Sequence, residues 1–211
     1  SATFGLNVTP IFGDPVNTAT GNYVYQHTDL TIPGIGMPFV FERSYNSRDA
    51  QSGRLGYGWT DNWNATLAVS GGDVTVRWGD GHTETWAPNG LGGFISQVGV
   101  FDALIDDGGG AFTVRKKSRV TYHFNTSGRL TSVQDKNGNT ITLAYTGDNL
   151  TQITDTAGRL ITFTYDGSGR ITAQYIYLPA PGAWRPIARL SERGIEALYT
   201  DTRGAVVEAR S

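Results

Sequence analysis

The stretch DTAGRLITFTYDGSGRI, residues 155–171, decides the fold class. It reads as a turn, a strand in which apolar residues alternate with threonine, and a second turn. Alternation with a period of two places the two sets of side chains on opposite faces of a strand, and glycine supplies the positive φ that a chain reversal needs. The stretch therefore predicts a β-hairpin.

This hairpin is one copy of a repeat of 20 residues. A third partial copy follows at Ile171 after a one-residue insertion, and Phe124 marks an earlier one. A lone hairpin is marginal in water, so neighbouring copies have to extend one sheet. The repeats thus predict a meander of hairpins in one open, curved sheet. The superposed pairs are Leu130 with Leu150, Val133 with Ile153, Asp135 with Asp155, Gly138 with Gly158, Ile141 with Ile161, Leu143 with Phe163, and Tyr145 with Tyr165.

Turn signals punctuate the repeats and the chain before them. Asn137-Gly138, Ala157-Gly158 and Ser168-Gly169 offer residues that tolerate positive φ where the chain must reverse. Alternation predicts further strands and hairpins at YVYQHTDLTI (23–32), PFVFERSYN (38–46), DVTVRWGDGHTETW (73–86) and AFTVRKKSRVTYHF (111–124), with turns at Gly79-Asp80-Gly81 and Lys117-Ser118.

Two stretches are harder to interpret. Residues 87–110 are rich in glycine and are expected to hold the least regular connection. PIARLSERGIEALYT (186–200) contains many helix formers, but we interpret it as a hairpin that turns at Glu192-Arg193-Gly194.

Composition agrees with an all-β protein. The chain has 28 glycines, 10 tyrosines and one methionine among 211 residues, a balance that favours strands and tight turns. It has no cysteine, which excludes disulfides and thiolate metal sites. A net charge of -2 gives no broad attraction to nucleic acid or to an anionic membrane. We also find no run of 18 apolar residues and no signal peptide in this chain.

No group of residues predicts catalysis or the binding of a cofactor or metal. His27, His82 and His123 have neither a Gly-x-Ser-x-Gly motif nor metal-ligand spacing beside them, so we interpret them as strand residues. The segment DKNGNT (135–140) superficially resembles a calcium loop, but Gly138 lies between the oxygen ligands and Thr146 stands where an acid is required.

Two charged stretches also have alternative interpretations. DDGGG (106–110) is expected to bind a cation weakly at most, because flexible glycine does not hold ligands in place. The basic run Arg115, Lys116, Lys117 and Arg119 predicts a solvated hairpin tip, with an acidic glycan or a phosphate as the alternative partner.

Aromatic residues provide the candidates for ligand stacking. Exposed in a row, such rings could stack on sugars; buried, they would form a core on which the sheet closes, and burial is the favoured interpretation. The candidates are Tyr57, Trp59, Trp63, Trp78 and Trp86.

These residues together resemble the bacterial rearrangement-hotspot (Rhs) proteins and the wider tyrosine-aspartate (YD) repeat proteins. GDPVNTATGNYVYQHTDLTIPG (13–34) and FERSYNSRDAQSGRLGYGWTDNW (41–63) resemble the module that precedes the repeats. Residues 128–171 resemble the repeats, whose signature falls on Tyr145, Gly158, Tyr165 and Asp166. YIYLPAPGAWRPIARL (175–190) and ALYTDTRGAVVEA (197–209) resemble late elements of the core.

The resemblance implies a division and a function. We expect a pre-repeat module at 1–100, repeat hairpins at 101–174 and a late core segment at 175–211. In this family the sheet closes as a shell around a carboxy-terminal toxin. Only three or four repeats are recognisable in this chain. We recognise neither a toxin domain nor an aspartate-proline cleavage segment, so we expect the chain to be a fragment or a short member of the family.

Two functional hypotheses follow. The first is a non-catalytic structural piece of such a shell, secreted or at the surface of a bacterial cell, with the remaining repeats and a toxin cargo as partners. The second is an adhesion module that binds carbohydrate or protein. An enzyme such as a glycoside hydrolase is the weakest hypothesis. An open sheet edge also predicts a homo-oligomer by edge pairing.

Overall fold

The computed structural model describes residues 16–17, 21–180, 183–191, 194–200 and 206–208. Within these ranges every regular element is a β-strand, and paired strands run antiparallel in open sheets, which confirms the predicted all-β class. No helix in the described ranges is long and apolar enough to cross a membrane.

The chain divides into two compact units. The first combines Ser1–Leu30 with Val40–Leu130, and the second combines Thr31–Phe39 with Thr131–Ser211. A short pre-repeat segment therefore belongs to the same compact unit as the repeats. The division expected from the sequence, with boundaries at residues 100 and 174, remains a prediction.

Short strands joined by tight turns make up the part of the chain before residue 125. Three sets of strands pair in the orders β1-β2-β3-β6, β4-β5 and β10-β9-β8-β7, and a further ladder runs β11-β12-β13. The bounds are β1 (Val16–Asn17), β2 (Asn22–Ile32), β3 (Phe39–Asn46), β4 (Ser52–Gly53), β5 (Gly56–Tyr57), β6 (Trp59–Asp61), β7 (Thr66–Ser70), β8 (Asp73–Arg77), β9 (Thr83–Pro88), β10 (Phe94–Ser96), β11 (Ala103–Gly108), β12 (Ala111–Arg115) and β13 (Thr121–Phe124).

These strands confirm the four stretches predicted by alternation. The glycine-rich residues 87–110, expected to be the least regular, nevertheless contain β10 and β11. Alternation is hidden there because only Leu104 of β11 is buried, while the rest of that strand is exposed or half-buried.

The repeats form a continuous antiparallel meander in chain order. Each strand from β14 onward pairs with the next one along the chain. The bounds are β14 (Leu130–Gln134), β15 (Thr140–Thr146), β16 (Asn149–Thr154), β17 (Leu160–Tyr165), β18 (Ile171–Ala180), β19 (Ala183–Ser191), β20 (Gly194–Thr200) and β21 (Val206–Glu208). Strands β19 and β20 confirm the hairpin predicted over 186–200; residues 192 and 193 of its turn lie outside the described residues.

Each unit has its own set of buried apolar side chains. In the repeats, the aliphatic and phenylalanine positions superposed by the 20-residue shift are buried in both copies, as the alternation predicts, while Tyr145 and Tyr165 are half-buried. At about 1.5–3 kcal/mol for each large side chain removed from water, this burial is the main source of stability of the sheet. The buried repeat residues are Val133, Ile141, Leu143, Leu150, Ile153, Ile161, Phe163, Ala173 and Ile176.

Candidate functional site

Most hairpins of the repeats close through one kind of loop, seen clearly at residues 155–159, whereas a two-residue turn at 147–148 joins β15 to β16. The N–H of Asp155 donates to the Arg159 carbonyl and the N–H of Gly158 donates to the Asp155 carbonyl, both at 3.0 Å. Asp155 Oδ1 accepts the N–H groups of Ala157 and Arg159, each at 2.9 Å. Gly158 has a φ of +77°. This is a three-residue hairpin loop, a turn followed by one left-handed residue.

The same loop recurs along the meander. It begins at Asn125, Asp135 and Asp166, each of which accepts backbone N–H groups two and four residues later. Only the glycine of each loop takes a positive φ, which confirms the predicted reversals at Gly138, Gly158 and Gly169. The loop is one residue longer than an Asn-Gly turn, so a single left-handed residue suffices.

The tyrosine-aspartate signature has a structural explanation. The Tyr165 hydroxyl donates to the Leu150 carbonyl at 2.6 Å, which ties one strand end to the preceding strand. Asp166 then begins the next loop. The N–H of Arg170 and the Ser168 hydroxyl, which donate to this carboxylate, hold the pKa of Asp166 below its usual range.

A pre-repeat segment lies on two successive loops. We call this segment, Thr31–Phe39, the strap. The N–H of Ile35 donates to Thr156 Oγ1 at 2.9 Å, and the Thr156 hydroxyl donates to the Met37 carbonyl at 3.1 Å. The Arg159 guanidinium donates to the Pro33 carbonyl. Two side chains of one repeat loop thus bind three backbone groups of the strap.

Glycines allow the strap to approach this closely. A Cβ on Gly34 would overlap the Met37 carbonyl oxygen, and one on Gly36 would overlap the side chains of Asp135 and Asn139 in the preceding loop. Gly36 also has a φ of +76°. The strap therefore requires glycine at both positions to contact the loops that begin at Asp135 and Asp155.

A network of charged side chains lies in the first unit, around the loop at residues 78–82. The His82 ring lies 2.5 Å from Asp80 Oδ1 through Nδ1, and 3.6 Å from Glu84 Oε1 through Nε2. The Trp78 indole N–H donates to Glu84 Oε2 at 2.7 Å. We call Trp78, Asp80, His82, Glu84, Asp102 and Lys116 the charged network.

Lys116 completes this network. Its ammonium lies 3.1 Å from Glu84 Oε2 and 2.7 Å from Asp102 Oδ2, and it stands 3.7 Å from the centroid of the Trp78 ring. The basic run was expected to be solvated throughout. Its position on a hairpin loop is confirmed, but the expectation is wrong for Lys116, because two partly buried carboxylates and an indole face draw this side chain inward.

The network changes the protonation of its members. Partial burial acts to lower the pKa of His82, but the hydrogen bond to Asp80 and the charges of Asp80 and Glu84 outweigh it and raise this pKa to about 9. Burial acts to raise the pKa values of the two carboxyls, yet His82, and Lys116 in the case of Glu84, hold both below their usual range. His82 is therefore a cation at neutral pH.

The stacking candidates differ in exposure. Trp63, Trp78 and Trp86 are buried, and each indole N–H has an acceptor: the Val40 carbonyl, Glu84 and the Asp102 carbonyl, respectively. Tyr57 is 58% exposed. Trp59 is half-buried, with the Tyr45 ring 5.2 Å and the Arg43 guanidinium 5.4 Å from its own ring. A sugar could therefore reach only Tyr57 and the open part of Trp59.

One group of side chains brings a hydroxyl, an imidazole and a carboxylate together. Thr113 Oγ1 lies 2.6 Å from Asp107 Oδ2 and 2.8 Å from His123 Nδ1. A catalytic triad needs the imidazole between the nucleophile and the acid, whereas here the hydroxyl occupies the middle and is buried. We interpret the three side chains as cross-strand hydrogen bonding.

The acidic stretch DDGGG (106–110) is one place where the sequence offered side chains that could share a metal ion. The described ranges contain no group of three or more His, Asp or Glu side chains placed to hold an ion. The acidic DDGGG stretch instead forms a hairpin turn in which Asp106 Oδ1 accepts the N–H of Gly108 at 2.8 Å.

The sequence contained a signal for one of these sites and none for the other. Asp80, His82 and Glu84 alternate along one stretch, which is the spacing that places side chains on one face of a strand. The strap gives no such signal, because Ile35 and Thr156 lie 121 residues apart.

Two family models match the chain. Residues 13–86 match one described as "Domain of unknown function (DUF6531)", and residues 145–177 match the RHS repeat. The strap falls in the first range and the loops beginning at Asp155 and Asp166 fall in the second.

Similar proteins include two whose names state an activity. "Probable deoxyribonuclease RhsB" of Dickeya dadantii (strain 3937) is 42% identical over 57 residues, which are 27% of this chain and 4% of that protein. "tRNA nuclease WapA" of Bacillus subtilis (strain 168) is 32% identical over 136 residues, which are 64% of this chain and 6% of that protein. The chain thus spans a small part of each relative.

Proposed function

We propose that this chain, an Rhs/YD-repeat protein, is a non-catalytic structural piece of a repeat shell that encapsulates or presents a toxin cargo in a secreted polymorphic toxin system. The observation that carries the proposal is the strap. A sheet built from similar hairpins needs contacts that fix where the repeats begin. The strap provides such contacts, because its backbone is hydrogen-bonded to the loop at residues 155–159 and lies against the loop at residues 135–139.

The chemistry of the described residues supports a structural role. The buried faces of the repeat strands are mainly apolar. The polar groups described above form the hydrogen bonds and ion pairs of the loops, the strap and the charged network. The relatives' names as nucleases support a toxin of that class as cargo. On this proposal the natural protein acts outside the cell that makes it or at the cell surface.

Protease protection in the natural protein that carries these residues tests the shell role. Thr156→Val removes both hydrogen bonds between this side chain and the strap and leaves the Asp155–Arg159 pair intact, and we expect cargo cleavage to become faster than in the native protein. Thr151→Val is the matched control, because Thr151 donates to the Ala144 carbonyl and not to the strap. Equal cleavage rates in the native and Thr156→Val proteins would contradict the proposal.

Direct assay tests the non-catalytic part. We expect the purified chain to leave tRNA and DNA intact. Cleavage that disappears on replacing one Asp or Glu, with the far-ultraviolet circular dichroism unchanged, would show instead that the chain is an enzyme.

The alternative function, a cell-surface module that binds carbohydrate or protein, draws on the exposure of Tyr57 and the open part of Trp59. Titration with varied glycans, followed by tryptophan fluorescence, tests it. We expect Tyr57→Ala to weaken any saturable signal, and the absence of such a signal across the glycans counts against this function.

Self-association through an open sheet edge is also a proposal. Light scattering over a range of concentrations tests it. A monomer at the highest concentration contradicts edge pairing.

A further inference from the structure

The first unit has an apolar and basic surface that neither the fold nor the proposed function uses. The side chains of Ile95, Val98 and Phe101 are 61%, 105% and 80% exposed. Neighbouring exposed apolar side chains of this size mark surfaces that meet a partner or a membrane. We call these three residues, together with Arg115, Lys117 and Arg119, the apolar-basic tip.

Backbone hydrogen bonds fix the apolar part of the tip. The N–H of Val100 donates to the Gln97 carbonyl at 3.1 Å, which closes a tight turn around Val98. The Ser96 hydroxyl donates to the Val100 carbonyl at 2.7 Å, and the N–H of Gln97 donates to the Thr85 carbonyl of β9 at 2.9 Å. The exposure of Val98 is therefore imposed by the fold.

The basic part of the tip adjoins Phe101. The Lys117 ammonium lies 5.6 Å from the centroid of the Phe101 ring, and the N–H of Lys117 donates to Asp102 Oδ1 at 3.0 Å. Arg115 pairs with Ala103 across the β11–β12 ladder. The loop that carries the exposed side chains of Arg115, Lys117 and Arg119 thus lies beside the exposed ring.

The carboxylates that form ion pairs beside this loop are bound by another cation. Asp102 and Glu84 both bind the Lys116 ammonium, which is a member of the charged network and points inward. Arg115, Lys117 and Arg119 therefore leave an excess of positive charge around Phe101. The small net charge of the whole chain hides this local excess.

We propose that the apolar-basic tip binds the surface of bilayers that contain anionic lipids. Val98 and Phe101 enter the headgroup region, while the guanidinium and ammonium groups bind lipid phosphates. Apolar side chains flanked by cations are the chemistry of interfacial anchors. A stable protein interface buries about 800 Å² on each partner, which is more than three apolar side chains on a turn and a strand edge supply.

Cosedimentation with lipid vesicles tests the proposal on the full chain. We expect binding to phosphatidylcholine vesicles that contain phosphatidylglycerol and little binding to phosphatidylcholine alone. Added salt should release the protein, because the screening length falls to about 3 Å at 1 M. Phe101→Ser should lower the partition coefficient by about tenfold or more, and Lys117→Glu should weaken binding to the anionic vesicles.

Val69→Ser is the matched control, since Val69 is an apolar residue on β7, 55% exposed and outside the tip. All three variants change exposed side chains, and circular dichroism checks their folding. Failure to bind either vesicle overturns the proposal, as does an equal loss in Val69→Ser and Phe101→Ser. Self-association that Phe101→Ser abolishes would assign the surface to a second copy of the chain. None of these outcomes bears on the shell role, which protease protection tests separately.

Discussion

Asp155 shows how one side chain fixes a hairpin loop. Its Oδ1 accepts two backbone N–H groups, and its Oδ2 lies 2.5 Å from Arg159 Nε. The carboxylate is fully buried and the guanidinium is 15% exposed. Removing one partner of such a pair leaves the other buried without its counter-charge, which costs more than the pair itself contributes.

We expect Asp155→Ala to lower the free energy of unfolding by about 3 kcal/mol, the lower end for a broken buried pair. Chemical denaturation measures this loss. Asp155→Asn keeps an acceptor at Oδ1 and should lose less. Asp166→Ala is the matched control, because this exposed carboxylate accepts the same backbone bonds; a loss as large as that of Asp155→Ala would show that the loop bonds alone account for the effect.

His82 makes the first unit sensitive to alkali. The pKa of His82 is about 9 in the folded chain and about 6.5 in the unfolded chain. Its contribution to the free energy of unfolding is therefore fully present below pH 6.5 and is lost as the pH rises through 9. Nuclear magnetic resonance should show an imidazole titration centred near 9 that is absent in His82→Gln. The stability difference between the native chain and His82→Gln should shrink over the same range, and a midpoint near 6.5 would contradict the network geometry.

The carboxylates of the same network make the first unit sensitive to acid. Asp80 and Glu84 have pKa values below the ordinary 3.8 and 4.5. Their contribution to the free energy of unfolding is therefore present above those ordinary pKa values and is lost as the pH falls through the lowered pKa values. The raised pKa of His82 comes from Asp80 and Glu84, which alternate with it along the chain, whereas the lowered pKa of Glu84 also depends on Lys116, which lies 32 residues further along and gives no signal in the sequence.

At the scale of elements, the repeat itself was predictable. The 20-residue shift superposed aliphatic and phenylalanine positions that are buried in both copies, tyrosines that are half-buried in both, and loop residues that make the same hydrogen bonds. Burial of one face of a strand requires apolar residues at every second position, so the pattern can be recognised in the amino-acid sequence. The turn residues predicted where the chain reverses, as at Asn137-Gly138, but they did not give the length of the loop.

Glycine in these loops serves two different purposes, which substitution should separate. Gly158 and Gly128 both have positive φ, but only a Cβ on Gly128 would overlap a neighbour, the Leu67 carbonyl oxygen. We expect Gly158→Ala to cost about 1 kcal/mol from backbone conformation alone. Gly128→Ala should cost clearly more by chemical denaturation, and equal costs would mean that the chain beside Leu67 yields to the methyl group.

Arg119 is the exception among these loop positions. It occupies the place of the glycine in the loop that begins at Lys116 and has a φ of +68°. A carboxylate does not begin this loop; instead Asp102 Oδ1, from the neighbouring segment, accepts the N–H of Lys117. The loop therefore forms here without its usual first residue and its glycine, and the N–H that Asp102 binds is one that the first residue of the other loops does not bind.

At the scale of the whole molecule, the division into two units was not predictable from composition. Residue 100 lies inside the first unit, and the strap belongs to the second although it precedes the repeats by about a hundred residues. Patterns that repeat along the chain are visible in a sequence, whereas a contact between distant segments depends on the finished fold. The same applies to the apolar-basic tip, whose local charge the net charge of -2 conceals.

Peptide-resolved hydrogen exchange should separate the two units. We expect His82→Gln to speed exchange mainly in residues 73–124 and Asp155→Ala mainly in residues 131–176, because each substitution removes contacts within one unit. Wild-type protein under the same conditions is the reference. Faster exchange along the entire chain in both variants would mean that the units unfold as one.

The strap also imposes an order on biosynthesis. Its Ile35 is added to the nascent chain 121 residues before Thr156, an interval on the order of ten seconds at about 5–20 residues per second. During that delay the backbone groups that later bind Thr156 and Arg159 lack these partners, and the second unit stays unfinished. Translation that halts before Arg159 therefore releases a polypeptide whose early residues have nothing to fasten to, a substrate that cellular proteases can recognise.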